Sequence, residues 1–356
     1  MASLFGKTEL TPEWVERFNK VAKLNEYAQS HAVQLSDVVL ASYDLTGVKL
    51  NGATFENTEW KGTQLNKGSL GNTQFKKTKL DGVKFQESVL SDVTFEDVEL
   101  REVSFFKATL KHVKFIRCKF DAVTADQLKG SDVEFIDSKL VNSSFSEGQL
   151  IAVIKNSNLN DVEFTDLEIP SSLTFEKSEL KEVKADRSIL SSLRATGSKV
   201  DATFANTTIE TVEFSNDDLD TDLSESTINT ITIAASKIKT LRMNSAKVNS
   251  VVIDRCEPTK NFGFYKATIK NIQIDRSKLD DFTLAKSNIE RLTIANTVLL
   301  NSDFELLRAK QATFDHVTLD AKIDFTNAQI DTLTVKGLVK SSGLNLITTG
   351  SNVKLD

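Results

Sequence analysis

The sequence has 356 residues, 44 Lys and Arg against 50 Asp and Glu, a formal charge of -6 at pH 7, and 40% apolar residues. That apolar share excludes a disordered chain, and 14 Gly and 3 Pro exclude a collagen-like or linker-like one. The slight acid excess argues against a general nucleic-acid-binding surface, and three His and two Cys leave little material for a metal centre, a disulfide framework or acid–base catalysis. No run approaches ~18 apolar residues, so no transmembrane helix is expected. The opening MASLFGKTEL has no apolar core of the length that a secretory signal needs.

In chain order, the first element is a helix. TPEWVERFNKVAKLNEYAQSHA offers Thr11 as N-cap and Pro12 at the first helical position. Glu13 and Glu16 complement the helix dipole there. Trp14, Phe18, Val21 and Ala28 fall roughly on one face.

From Leu45 the chain keeps a beat of five. Stepping by five as far as Leu150 meets 22 positions, and 20 of them are Leu, Phe or Trp. Neither a helical period of 3.6 nor a strand period of 2.0 gives this spacing. An apolar or small residue stands two places earlier in each unit, as in Val48, Ala53, Thr58, Val83, Ser88, Val93 and Cys118. A separation of two puts both side chains on the same side of an extended segment. The other three positions are mostly polar, as in KKTKL DGVKF QESVL SDVTF. Each unit therefore reads as a short extended piece, apolar pair inward, followed by a corner. The beat slips by one residue at Leu150, Val200, Leu219, Ile169 and Leu319, which bulges at corners would produce.

This pattern resembles the pentapeptide-repeat family over about Leu45 to Val335. The resemblance implies that four units make one square coil of a right-handed parallel β-helix, with the central Leu or Phe and the small residue before it inward. The chain departs from the usual family consensus, since no unit reads Ala-Asp-Leu or Ala-Asn-Leu. With twenty residues per coil, Phe55, Phe75, Phe95, Phe115 and Phe135 stack, and Phe85, Phe105 and Phe145 stand ten residues out of phase with them. Cys118 and Cys256 fall at inward positions about seven coils apart and read as buried small hydrophobes.

Between Val200 and Ser236 the charge pattern changes. Asp201, Glu210, Glu213, Asp218, Asp220, Asp222 and Glu225 follow one another with no Lys or Arg among them. Such a band is either solvated surface or a negative patch that meets a basic partner. Asp217 falls at an inward position, where it must find hydrogen bonds or distort the coil. His112 and His316 fall at outward positions, and no nucleophile elbow or zinc-protease motif occurs.

The expected architecture is an all-β solenoid with an N-terminal α-helical cap over residues 1–40, a pentapeptide-repeat β-helix over 41–337, and residues 338–356 as an irregular C-terminal cap or an end-to-end homodimer surface. A filled core leaves no pocket, so no catalytic, cofactor-binding or metal-binding residue is assigned. The expected function is a non-enzymatic, cytoplasmic protein–protein interaction scaffold with a protein partner, no direct nucleic-acid binding and no membrane. The alternative, which the family resemblance implies, is a DNA-mimicking regulator that binds a type II topoisomerase (gyrase).

Overall fold

The computed structural model describes residues 9–258 and 261–355. Residues 1–8, the opening in which no secretory signal is expected, lie outside the described residues. The chain divides into two compact units, Met1–Val183 and Lys184–Asp356. Both are parallel β-solenoids, about 16 turns in all.

In the first unit each coil has four faces. On one, Phe55 pairs with Phe75, Phe75 with Phe95, Phe95 with Phe115, and Phe115 with Phe135, all in parallel register and twenty residues apart. The second runs through Leu40, Trp60, Leu80, Leu100, Phe120 and Leu140. Bridges Asp44–Gln64–Lys84–Ser104 mark the third face, and Lys49–Ser69 marks the fourth.

The corners explain the beat of five. A left-handed φ recurs at Asp37, Ser42, Gly47, Gly52, Asn57, Gly62 and Lys67. Each piece thus runs outward, inward, outward and then turns through one left-handed residue. For a residue with a Cβ that conformation costs roughly 1–2 kcal/mol. Its N–H is satisfied on the next coil: Asn57 donates to the Lys76 carbonyl at 2.8 Å and Lys77 to Glu96 at 2.9 Å.

Packing follows the register. Consecutive rings in the ladder Phe55, Phe75, Phe95, Phe115 and Phe135 stack at 5.1, 4.9, 4.8 and 5.1 Å between centroids. Phe85 and Phe105 stack at 5.0 Å, and Phe85 meets Phe95 edge-on at 6.5 Å. Burial of each ring contributes roughly 1.5–3 kcal/mol before packing terms. Many of the Thr, Ser and Cys residues at the smaller inward position bond to backbone, whereas Thr221 Oγ1 has no partner among the described residues. Ser88 Oγ, for example, donates to the Leu65 carbonyl at 2.6 Å. Cys118 and Cys256 are buried free thiols, and burial pushes the Cys118 thiol up to about 12.

The expected single N-terminal helix is two helices, α1 (Pro12–Phe18) and α2 (Val21–Ser30). Asn19 caps α1, and Lys20 takes an extended conformation that breaks the run. The break lets two faces turn to the first coil: Phe18 meets Tyr43 edge-on at 5.4 Å, and Leu24 is fully buried. Asn25 ties α2 to the coil, accepting from Lys49 N at 2.7 Å and donating to the Gly47 carbonyl at 3.2 Å. Paired strands already begin at Gln34–Ser36, inside the segment read as cap.

In the second unit a corner within strands Lys199–Thr203, Asp218–Asp222 and Lys237–Arg242 has no left-handed residue, and another corner loses it throughout. Strands Thr208–Ser215, Thr227–Ala234, Lys247–Asp254, Thr268–Asp275, Asn288–Ala295, Arg308–Asp315 and Gln329–Lys336 each run eight residues across it. Two successive outward residues, such as Glu210 and Thr211, mark the bend. The step of four at Leu219 appears as a register shift between Leu219 and Asp220 against Ile238 and Thr240. Short strands Val339–Lys340 and Asn345–Ile347 pair with Thr318–Asp324, so residues 338–356 carry paired strand as well as irregular chain.

Candidate functional site

Because inward positions are filled by packed side chains, chemistry is left to the outward ones. Among the described residues no group of three His, Cys, Asp or Glu side chains could hold a metal ion, and no helix is long and apolar enough to cross a membrane. His112 is exposed, with Nδ1 at 3.2 Å from Asp92 and Nε2 at 4.0 Å from Asp132, on the coils before and after it.

The acidic band looks different in three dimensions than along the chain. Bases absent from residues 200–236 arrive from the neighbouring coils. Arg194 lies 3.1 Å from Glu213, Lys239 bonds to Asp220, and Arg242 lies 3.9 Å from Asp222. The Lys239 ammonium holds the Asp220 carboxyl below its usual range. Asp218 pairs in register with Lys199 on one side and Lys237 on the other. Glu210 accepts from Asn229 Nδ2 at 2.5 Å. The structure brings Asp218, Asp220 and Asp222 together on one strand, Asp218–Asp222, and places Glu210 and Glu213 on another, Thr208–Ser215. Asp201 stands opposite Asp220, and Glu225 occupies a left-handed corner.

Asp217 is inward, as its position in the beat requires, and only 2% exposed. Its Oδ1 accepts from Ser198 N and its Oδ2 from Ser215 N, both at 2.7 Å. Desolvation outweighs those two amides and pushes the carboxyl up to about 6.

A second outward feature was invisible along the chain. A groove of about 940 Å³ crosses seven successive coils of the second unit. One wall carries Lys247 and Arg308 and the other Lys270 and Lys310, with Val248, Ile269 and Ile289 between them. Lys247 and Lys270 lie 23 residues apart and Arg308, with Lys310 beside it, another 38 further on, so no local window shows all four as a cluster. Reading every twentieth residue is the signal that would have found them.

A parallel solenoid of stacked five-residue units, with its chemistry confined to outward ladders, defines a repeat protein. Residues 48–125 match the family described as pentapeptide repeat region. Comparison with curated proteins finds no match. Among solved structures, full-length QnrB1, a plasmid-mediated fluoroquinolone resistance protein, is 11% identical, covering 72% of this chain and 93% of that one, with a TM-score of 0.25. HetL, a pentapeptide repeat protein involved in heterocyst differentiation regulation from the cyanobacterium Nostoc sp. strain PCC 7120, is 12% identical over 93% of each chain, with a TM-score of 0.16. A PL6 alginate lyase is 10% identical over 98% of this chain and 89% of that one, with a TM-score of 0.23.

Proposed function

We propose that the chain is a non-enzymatic scaffold of the cytoplasm whose outer faces bind another protein. The observation that carries this reading is the filled interior. Rings such as Phe75 and Phe95 stack in contact and are fully buried, so binding falls to the regular outward ladders. End-to-end pairing of two copies through the last coils belongs to the same reading, since Leu333, Val335, Leu338 and Leu344 are only half-buried there. The test is cross-linked affinity capture from a lysate of the source organism, quantified against a scrambled-surface control. Recovery of a stoichiometric partner supports the scaffold, and recovery of nothing above control overturns it. Light scattering reads the pairing of copies.

A second reading is a DNA-mimicking regulator that binds a type II topoisomerase (gyrase). The band from Asp201 to Glu225 favours it. The bases beside Glu213, Asp220 and Asp222 weigh against it, because they offset the field that mimicry would use. A supercoiling assay with purified gyrase tests it, and unchanged supercoiling at a large molar excess of this protein overturns it.

A further inference from the structure

The groove of the second unit has the shape and charge of a binding track. Its floor runs over Ile209, Ile228, Val248, Ile269, Ile289 and Ala309, one per coil. These are inward positions, 1–4% exposed, so the floor they present to the groove is backbone. The walls are two rows of side chains, two residues apart on each strand, hence about 7 Å apart at ~3.3 Å per residue. Seven coils at ~4.8 Å give six steps, or about 29 Å of length.

The cations of the track are concentrated in its middle, with Glu210 and Asp331 on its outermost coils. Over the four coils from Lys247 to Lys310 the walls carry Lys247, Lys270, Arg308 and Lys310 against a single carboxylate, Glu290. Glu290 is itself engaged by Lys310 at 3.2 Å. Lys247, Lys270 and Arg308 have no carboxylate partner among the described residues. Lys266 and Lys286 stand at the corners leading into two of these strands, each about 5.2 Å from the Tyr265 ring. In a chain whose formal charge is -6, this is a local basic surface.

We propose that this groove binds an extended acidic polypeptide segment of about nine residues, lying along the stack. The inference rests on the scaffold reading and names the face and the chemistry of its partner. Rows of side chains only about 7 Å apart exclude a nucleic-acid duplex from between them. No aromatic side chain lines the track, so a single-stranded nucleic acid would find none of the stacking platforms that usually hold its bases. An extended peptide sends alternate side chains to opposite sides, so its carboxylates meet Lys247, Lys270 and Arg308.

The test is fluorescence anisotropy with the full chain and three fluorescein-labelled probes: a nine-residue peptide alternating Glu and Val, the same length alternating Lys and Val, and a nine-nucleotide oligothymidylate. The acidic peptide should bind, and the basic one should not. Affinity for the acidic peptide should fall roughly tenfold or more in the triple variant Lys247→Glu, Lys270→Glu, Arg308→Glu, and should fall as salt rises. The milder set Lys247→Gln, Lys270→Gln, Arg308→Gln covers a triple reversal that fails to fold, and Lys84→Glu in the other unit should change nothing. No binding of the acidic peptide, equal binding by the variants, or oligothymidylate bound as tightly as the peptide would overturn the proposal. If the peptide fails while affinity capture still recovers a partner, the groove assignment falls and the scaffold stands.

Discussion

Asp217 occupies, one coil from Ser198, a slot that serine fills on the coils around it. On the next coil Ser236 Oγ accepts from Asp217 N at 3.2 Å and donates to the Ala234 carbonyl at 2.9 Å. The carboxylate has no proton to donate, so it takes the Ser215 amide instead.

Because burial moves the carboxyl from 3.8 to about 6, the folded protein binds a proton that the unfolded chain releases. Its contribution is therefore full below pH 3.8 and lost as pH rises through 6, a change of about 3 kcal/mol. Asp217→Ser should raise the urea midpoint at pH 7.5, and the difference from the parent should shrink or reverse at pH 4. Other carboxylates affect both proteins alike, so the difference isolates this group. Parallel pH profiles for the two proteins would refute the assignment.

The Phe ladder makes a sharper claim about register. Phe95→Ala removes the ring between Phe75 and Phe115 and should cost roughly 3–5 kcal/mol. Lys84→Ala, on an outward position, should cost less than about 0.5 kcal/mol. Chemical denaturation of the two variants side by side decides it.

The register was legible in the sequence because the beat is local: five residues suffice to show one inward pair and one corner, and the Phe spacing of twenty sets the coil. The buried position of Asp217 followed from the same count. The break at Asn19 and Lys20 was not legible, because the amphipathic pattern around Trp14, Phe18 and Val21 continues through it. Nor were the partners of the acidic band, since Arg194 reaches Glu213 from the coil before. Lys247, Lys270 and Arg308 were hidden for the same reason, each looking like an isolated surface charge.

Asn25 should prove to be the latch of the helical cap. Asn25→Ala removes both bonds to the first coil and should destabilise the α2 attachment by about 1–3 kcal/mol. Hydrogen exchange should then speed up within α2 while the ladder around Phe95 keeps its protection. Uniform loss of protection would mean that the cap and the coils unfold as one.

Gly62 tests the corner itself. Its φ is +56, and a Cβ added there would meet nothing within 4 Å, so Gly62→Ala brings no clash, only the left-handed penalty. Thermal denaturation should show a loss of about 1 kcal/mol, slightly offset by the stiffer unfolded chain. A loss of several kcal/mol would point to a steric role instead.

The coils differ in length while their inward residues stay aligned. Phe55 to Phe75 spans 20 residues, Ile209 to Ile228 spans 19, and Val248 to Ile269 spans 21. A residue gained or lost at a corner therefore alters the spacing of exposed side chains along the chain without displacing the stacked interior. The molecule works as a vernier, with one scale of fixed graduations inside and a second outside that can be slid against it. Insertions and deletions, which scramble most strands by turning them inside out, become in this architecture a means of retuning the surface that a partner meets.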